Sequence, residues 1–210
     1  MMLRVRPART VDMPGIATVL QDAFSEKLSV IFSKEPGHVR DLLEAIYSGP
    51  VRRGYDGILV AERDGRVVGT LVIEPVYHTV EENRSFENYA VRMLGLPRML
   101  WAGFLLWLMA HKPEDGEAHI ADVGVAPDCQ GEGIGTELMA HAEQWAHAHG
   151  RERLTLWVAA TNENALHLYE KSGFTIAETR SNWILRLAFG IRDWHFMEKS
   201  LPLALPESVT

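Results

Sequence analysis

Three glycines at alternate positions, Gly131, Gly133 and Gly135, lie between a β-rich run, AHIADVGV, and a helical stripe of Ile134, Leu138, Ala142 and Trp145. A strand, a glycine-rich turn and a helix start together make an anion cradle. The first-turn N–H groups have no acceptor inside the helix, the positive end of the dipole points the same way, and bare backbone lets a phosphate come close. The spacing does not fit the dinucleotide fingerprint, whose third glycine follows the second by three residues, and the P-loop lysine is missing. A tight turn that binds nothing would also use glycine, so the turn alone leaves both readings open. The strand before it carries His119 and Asp122, with Glu117 just ahead. An imidazole of ordinary pKa, about 6.5, is largely neutral at pH 7 and can accept a proton. The two-residue period puts Asp122 on the opposite strand face from His119.

The 210 residues, 47% hydrophobic and 23% charged, suit a single domain with one sizeable core. A net charge of −7 argues against a general binder of nucleic acid or anionic membrane, because phosphate neutralisation needs clustered Lys and Arg. The lone cysteine, Cys129, excludes an intramolecular disulfide and a thiolate metal cluster. With no apolar signal region in MMLRVRPARTVD, the expected location is the cytoplasm.

The elements that would position these groups follow from periodicity. LRVRPA reads as a first strand, and Ile16, Val19, Leu20, Ala23 and Phe24 stripe a first helix. Val39, Leu42, Leu43 and Ile46 stripe a second, which Gly49 and Pro50 are expected to stop. GILVAERDGRVVGTLVIEPV is a hairpin about Asp64-Gly65. After a polar stretch and an apolar block come AHIADVGV, the striped helix closed by Gly150, the strand LTLWVAA, a short helix in NENALHLYEKSGF, and last strands in TIAET and HFMEKSL.

VGVAPDCQGEGIG, Val123 to Gly135, resembles the pyrophosphate-binding motif of the GNAT superfamily of N-acetyltransferases, with Gln130, Gly133 and Gly135 in the defining places. NENALHLYEKSGF resembles the second motif of that family, through Asn162, the small Ala165, Tyr169 and Gly173-Phe174. The resemblance is close over 118–174, weak over 3–90, and absent between. It implies an α/β chain of α+β type: a mixed, mostly antiparallel sheet flanked by helices, in which a splayed parallel strand pair binds acyl-CoA. Residues 1–210 would be one N-acetyltransferase domain with an apolar helical insertion at about 91–113.

The resemblance also implies the chemistry. Backbone groups of Val123, Gly124 and Val125 would pair with the pantetheine arm of acetyl-CoA, and amides of Gln130, Gly131, Glu132, Gly133, Ile134, Gly135 and Thr136 would wrap its pyrophosphate, with Asn162 and Ala165 completing the site. Many relatives carry Arg or Lys where this chain has Gly131 and Glu132, so Glu132 is expected to point outward. Arg151, Arg153 and Lys171 are candidates for the other phosphate. Tyr169 matches the tyrosine that protonates the departing thiolate, and the N–H of Val125 would polarise the carbonyl. His119 stands where relatives place a side-chain base; Asp122 and Glu117 are its alternatives, since LWVAATN lacks the glutamate used by ribosomal-protein N-terminal acetyltransferases. The implied activity is acetyl transfer from acetyl-CoA to a primary amine by direct attack in a ternary complex. The alternative is a noncatalytic acyl-CoA-binding or partner-docking module.

LGLPRMLWAGFLLWLMAHK holds twelve consecutive apolar residues, Met99 to Ala110. At ~1.5 Å rise per residue they cover about 18 Å, short of a ~30 Å bilayer core. A helix apolar all round must be covered on most sides. Packing on WILRLAFGIRDWHF as a lid over an apolar or amphipathic amine is the leading expectation, followed by a homodimer interface and by shallow membrane-surface association. Among nine histidines, His141, His147 and His149 share a helix but not a face, so no metal is expected.

Overall fold

The computed structural model describes residues 2–32, 36–74 and 79–202. A seven-stranded sheet has the order β1-β2-β3-β4-β5-β7-β6. Its strands are β1 (Leu3–Pro7), β2 (Ile58–Arg63), β3 (Arg66–Glu74), β4 (Glu117–Val125), β5 (Arg153–Ala159), β6 (Thr175–Ser181) and β7 (Asp193–Ser200). Every neighbouring pair is antiparallel except β4 and β5, the mixed, mostly antiparallel sheet that the sequence implies. The helices are α1 (Met13–Ala23), α2 (Ser25–Ile31), α3 (Pro36–Arg52), α4 (Val80–Leu94), α5 (Leu96–Met109), α6 (Ile134–Ala148), α7 (Glu163–Lys171) and α8 (Trp183–Phe189).

Alternating side chains of the sheet feed two cores. On one face Leu71, Ile73, Ile120 and Leu156 meet Ile134, Leu138 and Ala142 of α6. On the other Ile58, Val60 and Val72 meet Ile16 and Leu20 of α1 and Leu42 of α3. The hairpin turns at Asp64 (φ 50°) and Gly65 (φ 80°), the left-handed pair that Asp-Gly adopts at least cost. It brings β3 into register with β4, the strand on which the site depends.

Three departures have clear causes. Gly49-Pro50 does not stop α3, which runs on to Arg52. A proline three residues from a helix end removes one N–H, and Arg53 N–H closes the turn on the carbonyls of Gly49 and Pro50. The polar stretch is helix α4, started by a capping box in which Glu82 N–H donates to Thr79 Oγ1 and Thr79 N–H to Glu82 Oε2. Lastly, α5 is not covered on most sides. Only Ala102 and Leu105 are buried, while Trp101, Phe104 and Trp107 form an outward aromatic row, with Trp107 73% exposed. Both α5 and α8 pack on α2. Among the described residues no helix is long and apolar enough to cross a membrane.

Near the chain start Arg6 forks onto Asp12, at 2.7 and 2.9 Å, and reaches Glu62 at 2.6 Å, with the Arg6 and Asp12 side chains 11% and 7% exposed. Asp12 also accepts Arg9 N–H at 2.7 Å. The Arg6 guanidinium holds the Asp12 carboxyl below its ordinary range. A depressed folded-state pKa adds stability that is present above the unfolded value of about 3.9 and is lost as pH falls through the folded one. Asp12→Asn is therefore expected to cost about 3 kcal/mol near neutral pH, as for one partner of a buried pair. Urea unfolding at several pH values should show that deficit shrinking below about pH 4.

Candidate active site

Residues 117–120 of β4 pair with 153–156 of β5, and there the pairing ends. Both strands continue, to Val125 and Ala159, so the edge of residues 121–125 facing β5 has no strand partner among the described residues. Its other edge is held by β3, with Leu71 opposite Val123, Thr70 opposite Gly124 and Gly69 opposite Val125. A parallel pair that is closed at one end and parted at the other is a wedge, and its open backbone can hydrogen-bond an extended ligand. Gly124 also has a packing reason, since a Cβ there would lie 3.2 Å from Val19 Cγ1 of α1.

The wedge opens beside the start of α6. A short 3-10 turn, Pro127–Cys129, leads to Gln130, whose side-chain amide folds back to donate to the Val125 carbonyl at 3.3 Å. Gly133, at φ 83°, caps α6, and among the described residues no side-chain cap accepts from its first-turn N–H groups. The three glycines differ in cause. Beyond its own chain neighbours, a Cβ at Gly131 or Gly133 would meet no atom of the described residues within 4 Å, whereas one at Gly135 would strike Leu168 Cδ2 of α7 at 2.9 Å. Gly135 thus serves helix packing, while Gly131 and Gly133 border open space in front of Ile134 and Thr136. Glu132 is drawn to Arg63 at 2.5 Å, which offsets its charge at this turn.

Helix α7 carries Tyr169, 9% exposed, packed beside Phe174 and near enough to Asp122 to feel its charge. Asn162 caps α7 by accepting Ala165 N–H at 3.1 Å, a local reason for both of those motif residues. Burial, and then the negative charge of Asp122, push the Tyr169 phenol up to about 12. The phenol therefore keeps its proton across the working pH range.

Asp122 corrects the face assignment. Val72 lies opposite Asp122 and Ile73 opposite Ile120, so Ala121 is an extra residue, a β-bulge. The bulge resets the two-residue alternation. Asp122 and His119 pair with Val72 and Glu74, which share a face, so both point toward α1 and α3. Asp122 Oδ2 accepts the Tyr47 hydroxyl of α3 at 2.8 Å. Its charge is also felt by Glu74, which burial first and Asp122 second push up to about 7. Lys27 of α2 lies over the rings of Phe24 and Trp194 at 5.6 and 6.0 Å, and burial lowers its pKa against the pull of Asp122. Sequence reasoning missed Tyr47, Glu74 and Lys27, which sit on three separate elements with no shared spacing.

His119 lies below the apex and is 5% exposed. Its Nδ1 is 2.8 Å from the Thr155 hydroxyl, and burial, then the charge of His111, bring its pKa down to about 3. Arg153 is committed to Glu114 and Glu117 at the closed end of the strand pair, and Arg151 follows the far end of α6, so neither is beside the glycine turn. A cavity of about 320 Å³ over the β5-β7-β6 face is lined by sheet residues with His111 and Glu114. Neither α5 nor α8 contributes to it, so the expected apolar lid does not close this space.

The profile of the acetyltransferase (GNAT) family matches residues 17–174. The chain belongs to that family. Among curated relatives, an uncharacterized N-acetyltransferase of Methanocaldococcus jannaschii is 37% identical over 67 residues, 32% of this chain and 30% of that protein. A mycothiol acetyltransferase of Corynebacterium aurimucosum is 34% identical over 87 residues, 41% of this chain and 28% of that one. The chain thus spans under a third of the length of these curated relatives. Among solved structures, the ribosomal-protein-S18-alanine N-acetyltransferase of Escherichia coli superposes with a TM-score of 0.61 at 18% identity, covering 98% of both chains. The PaiA N-acetyltransferase of Thermoplasma acidophilum in complex with coenzyme A gives 0.62 at 15% identity, covering 96% of this chain and 100% of that one. These structural likenesses establish the GNAT fold.

Proposed function

We propose that this GNAT chain transfers an acetyl group from acetyl-CoA to a primary amine, both bound at once in the wedge. One observation carries the reading: the strand edge with no partner runs from an uncapped helix start, suited to a diphosphate, toward a buried phenol and a carboxylate. Val123, Gly124 and Val125 line the pantetheine arm, and the amides from Gln130 to Thr136 hold the diphosphate. A thioester laid along that edge ends near the apex, where the unpaired strand edge offers backbone N–H to its carbonyl.

Asp122, rather than His119, takes the amine proton. It stands two residues beyond the last paired residue, Ile120, and is partly exposed, whereas His119 is buried below the apex with Nδ1 engaged. Neutral amine then attacks the thioester carbon, the carbon–sulfur bond breaks, Tyr169 gives its hydroxyl proton to the departing thiolate, and the tyrosinate regains a proton, the one that the new amide nitrogen sheds. Protonation of Asp122 removes one of the two causes that hold Tyr169 up, so the phenol becomes a better acid as the thiolate forms.

The test is thiol release from acetyl-CoA over a panel of primary amines, with Asp122→Asn beside the wild type. Amine-dependent release is expected from the wild type, and Asp122→Asn should cut kcat by about 10²-fold, the lower end for loss of a general base. Coenzyme binding without release on any amine would replace this reading with that of an acyl-CoA-binding module.

A further inference from the structure

Below the wedge, the loop after α5 and the first residues of β4 bring two imidazoles and a carboxylate together. His111, Glu117 and His119 each offer one ligand atom, and those atoms lie within 4.8 Å of one another. His111 Nε2 is 2.6 Å and His119 Nδ1 3.9 Å from the same oxygen, Glu117 Oε1. The two imidazole rings are 4.3 Å apart and tilted by 36°. Glu117 is 1% exposed, and a carboxylate is so deeply buried only when other groups compensate its charge. The acetyl-transfer reading uses none of the three.

We propose that His111, Glu117 and His119 form a binding site for one divalent cation of the zinc class. Two imidazole nitrogens with one carboxylate oxygen suit zinc, whereas calcium and magnesium favour all-oxygen sets. A second layer already orients the ligands. The Thr155 hydroxyl donates to Glu117 Oε1 at 2.5 Å and Glu114 N–H donates to Glu117 Oε2 at 2.9 Å, while the 2.8 Å contact of Thr155 with His119 Nδ1 gives way when that nitrogen takes the cation. Such outer partners fix the orientation of metal ligands.

Without the cation, the hydrogen bond between His111 and Glu117 closes the cluster, so binding displaces the proton that those two share. Ligand bonds of about 2.0–2.2 Å require donor atoms roughly 3.4 Å apart, so on loading His111 Nε2 draws away from Glu117 Oε1, now at 2.6 Å, and His119 Nδ1 approaches it from 3.9 Å. His111 makes the larger adjustment, because it lies on the loop between α5 and β4 while Glu117 and His119 belong to the sheet. The cavity lined by His111, Glu117, Trp157, Phe196 and Glu198 borders the cluster and gives a cation a route to it. Arg153 stands 3.5 Å from Glu117 Oε2 and opposes the cation, and its partner Glu114 offsets that charge. The pattern escapes a sequence screen because spacings of six and two residues across a loop and a strand match no ligand motif.

The experiment is calorimetric titration of the chelator-treated full chain with Zn²⁺ alone, followed by Co²⁺ absorption. One Zn²⁺ per chain is expected, with an intense visible Co²⁺ band of tetrahedral nitrogen and oxygen ligation. His111→Ala should weaken Zn²⁺ binding by about 100-fold and leave coenzyme A affinity unchanged, which also reports that the variant is folded. His147→Ala, which removes the other histidine facing a glutamate, Glu143 at 4.0 Å, should leave Zn²⁺ affinity unchanged. Three results would overturn the site: no stoichiometric Zn²⁺ binding by the wild type, a Co²⁺ spectrum of water-like octahedral ligation, or loss of binding through His147→Ala instead of His111→Ala.

Discussion

Tyr169→Phe is expected to lower kcat by about 10²–10³-fold, the usual range for loss of a positioned acid, and to change coenzyme A affinity by less than about twofold. The argument begins with burial. Tyr169 is 9% exposed on α7, its ring packs beside Phe174 at 6.1 Å, and phenylalanine would keep that packing. What disappears is one hydroxyl, aimed at charge that exists only while the carbon–sulfur bond breaks. An interaction made only in the transition state appears in kcat, not in binding. The phenol, at about 12, is fully protonated in any ordinary assay. The wild-type rate should therefore show no alkaline decline from Tyr169 below about pH 11, one unit under that value. Steady-state kinetics with coenzyme titration separates the two effects. A fall in affinity with unchanged kcat would assign Tyr169 to packing alone.

Gly133→Val is expected to weaken coenzyme A binding by at least about tenfold, that is by about 1.4 kcal/mol or more. Gly133 sits at φ 83°, where a β-branched residue is strained by about 1–2 kcal/mol or leaves the left-handed region and turns the first amides of α6. Beyond its chain neighbours, no atom of the described residues lies within 4 Å of the new Cβ, so its side chain enters the space proposed for the diphosphate. Gly150→Val is the matched control. It carries the same backbone penalty, at φ 63° and also in open space, but follows the other end of α6. Both variants should lose stability, and only Gly133→Val should lose the coenzyme. Equal coenzyme loss in both would trace the effect to general destabilisation.

Much of the catalytic frame was legible because local signals and the fold agree. The Asp64-Gly65 turn, the strand entering the glycine turn, the stripe of α6 and the capped α7 each announce themselves within a dozen residues. The face of Asp122 was not legible. AHIADVGV alternates like an unbroken strand, and the extra residue at Ala121 shows only once β3 is laid beside it. Helix α4 was missed although Thr79 and Glu82 spell a capping box, because its polar surface hides the apolar stripe. The apolar block misled in the opposite sense. Its composition demands cover that packing among the described residues does not supply, since α2 and α4 bury one side and leave the aromatic row outward. Three histidines on one helix drew the search for metal ligands, while those that meet in space come from a loop and a strand.

The most direct measurement is a pair of calorimetric titrations of the wild-type chain, one with coenzyme A and one with pantetheine, which lacks the diphosphate and nucleotide. If the uncapped amides at Gly131 to Thr136 grip the diphosphate, coenzyme A binds at one site per chain and pantetheine at least about 100-fold more weakly, a difference of about 2.7 kcal/mol. Equal affinities, or no heat with coenzyme A, would contradict the account.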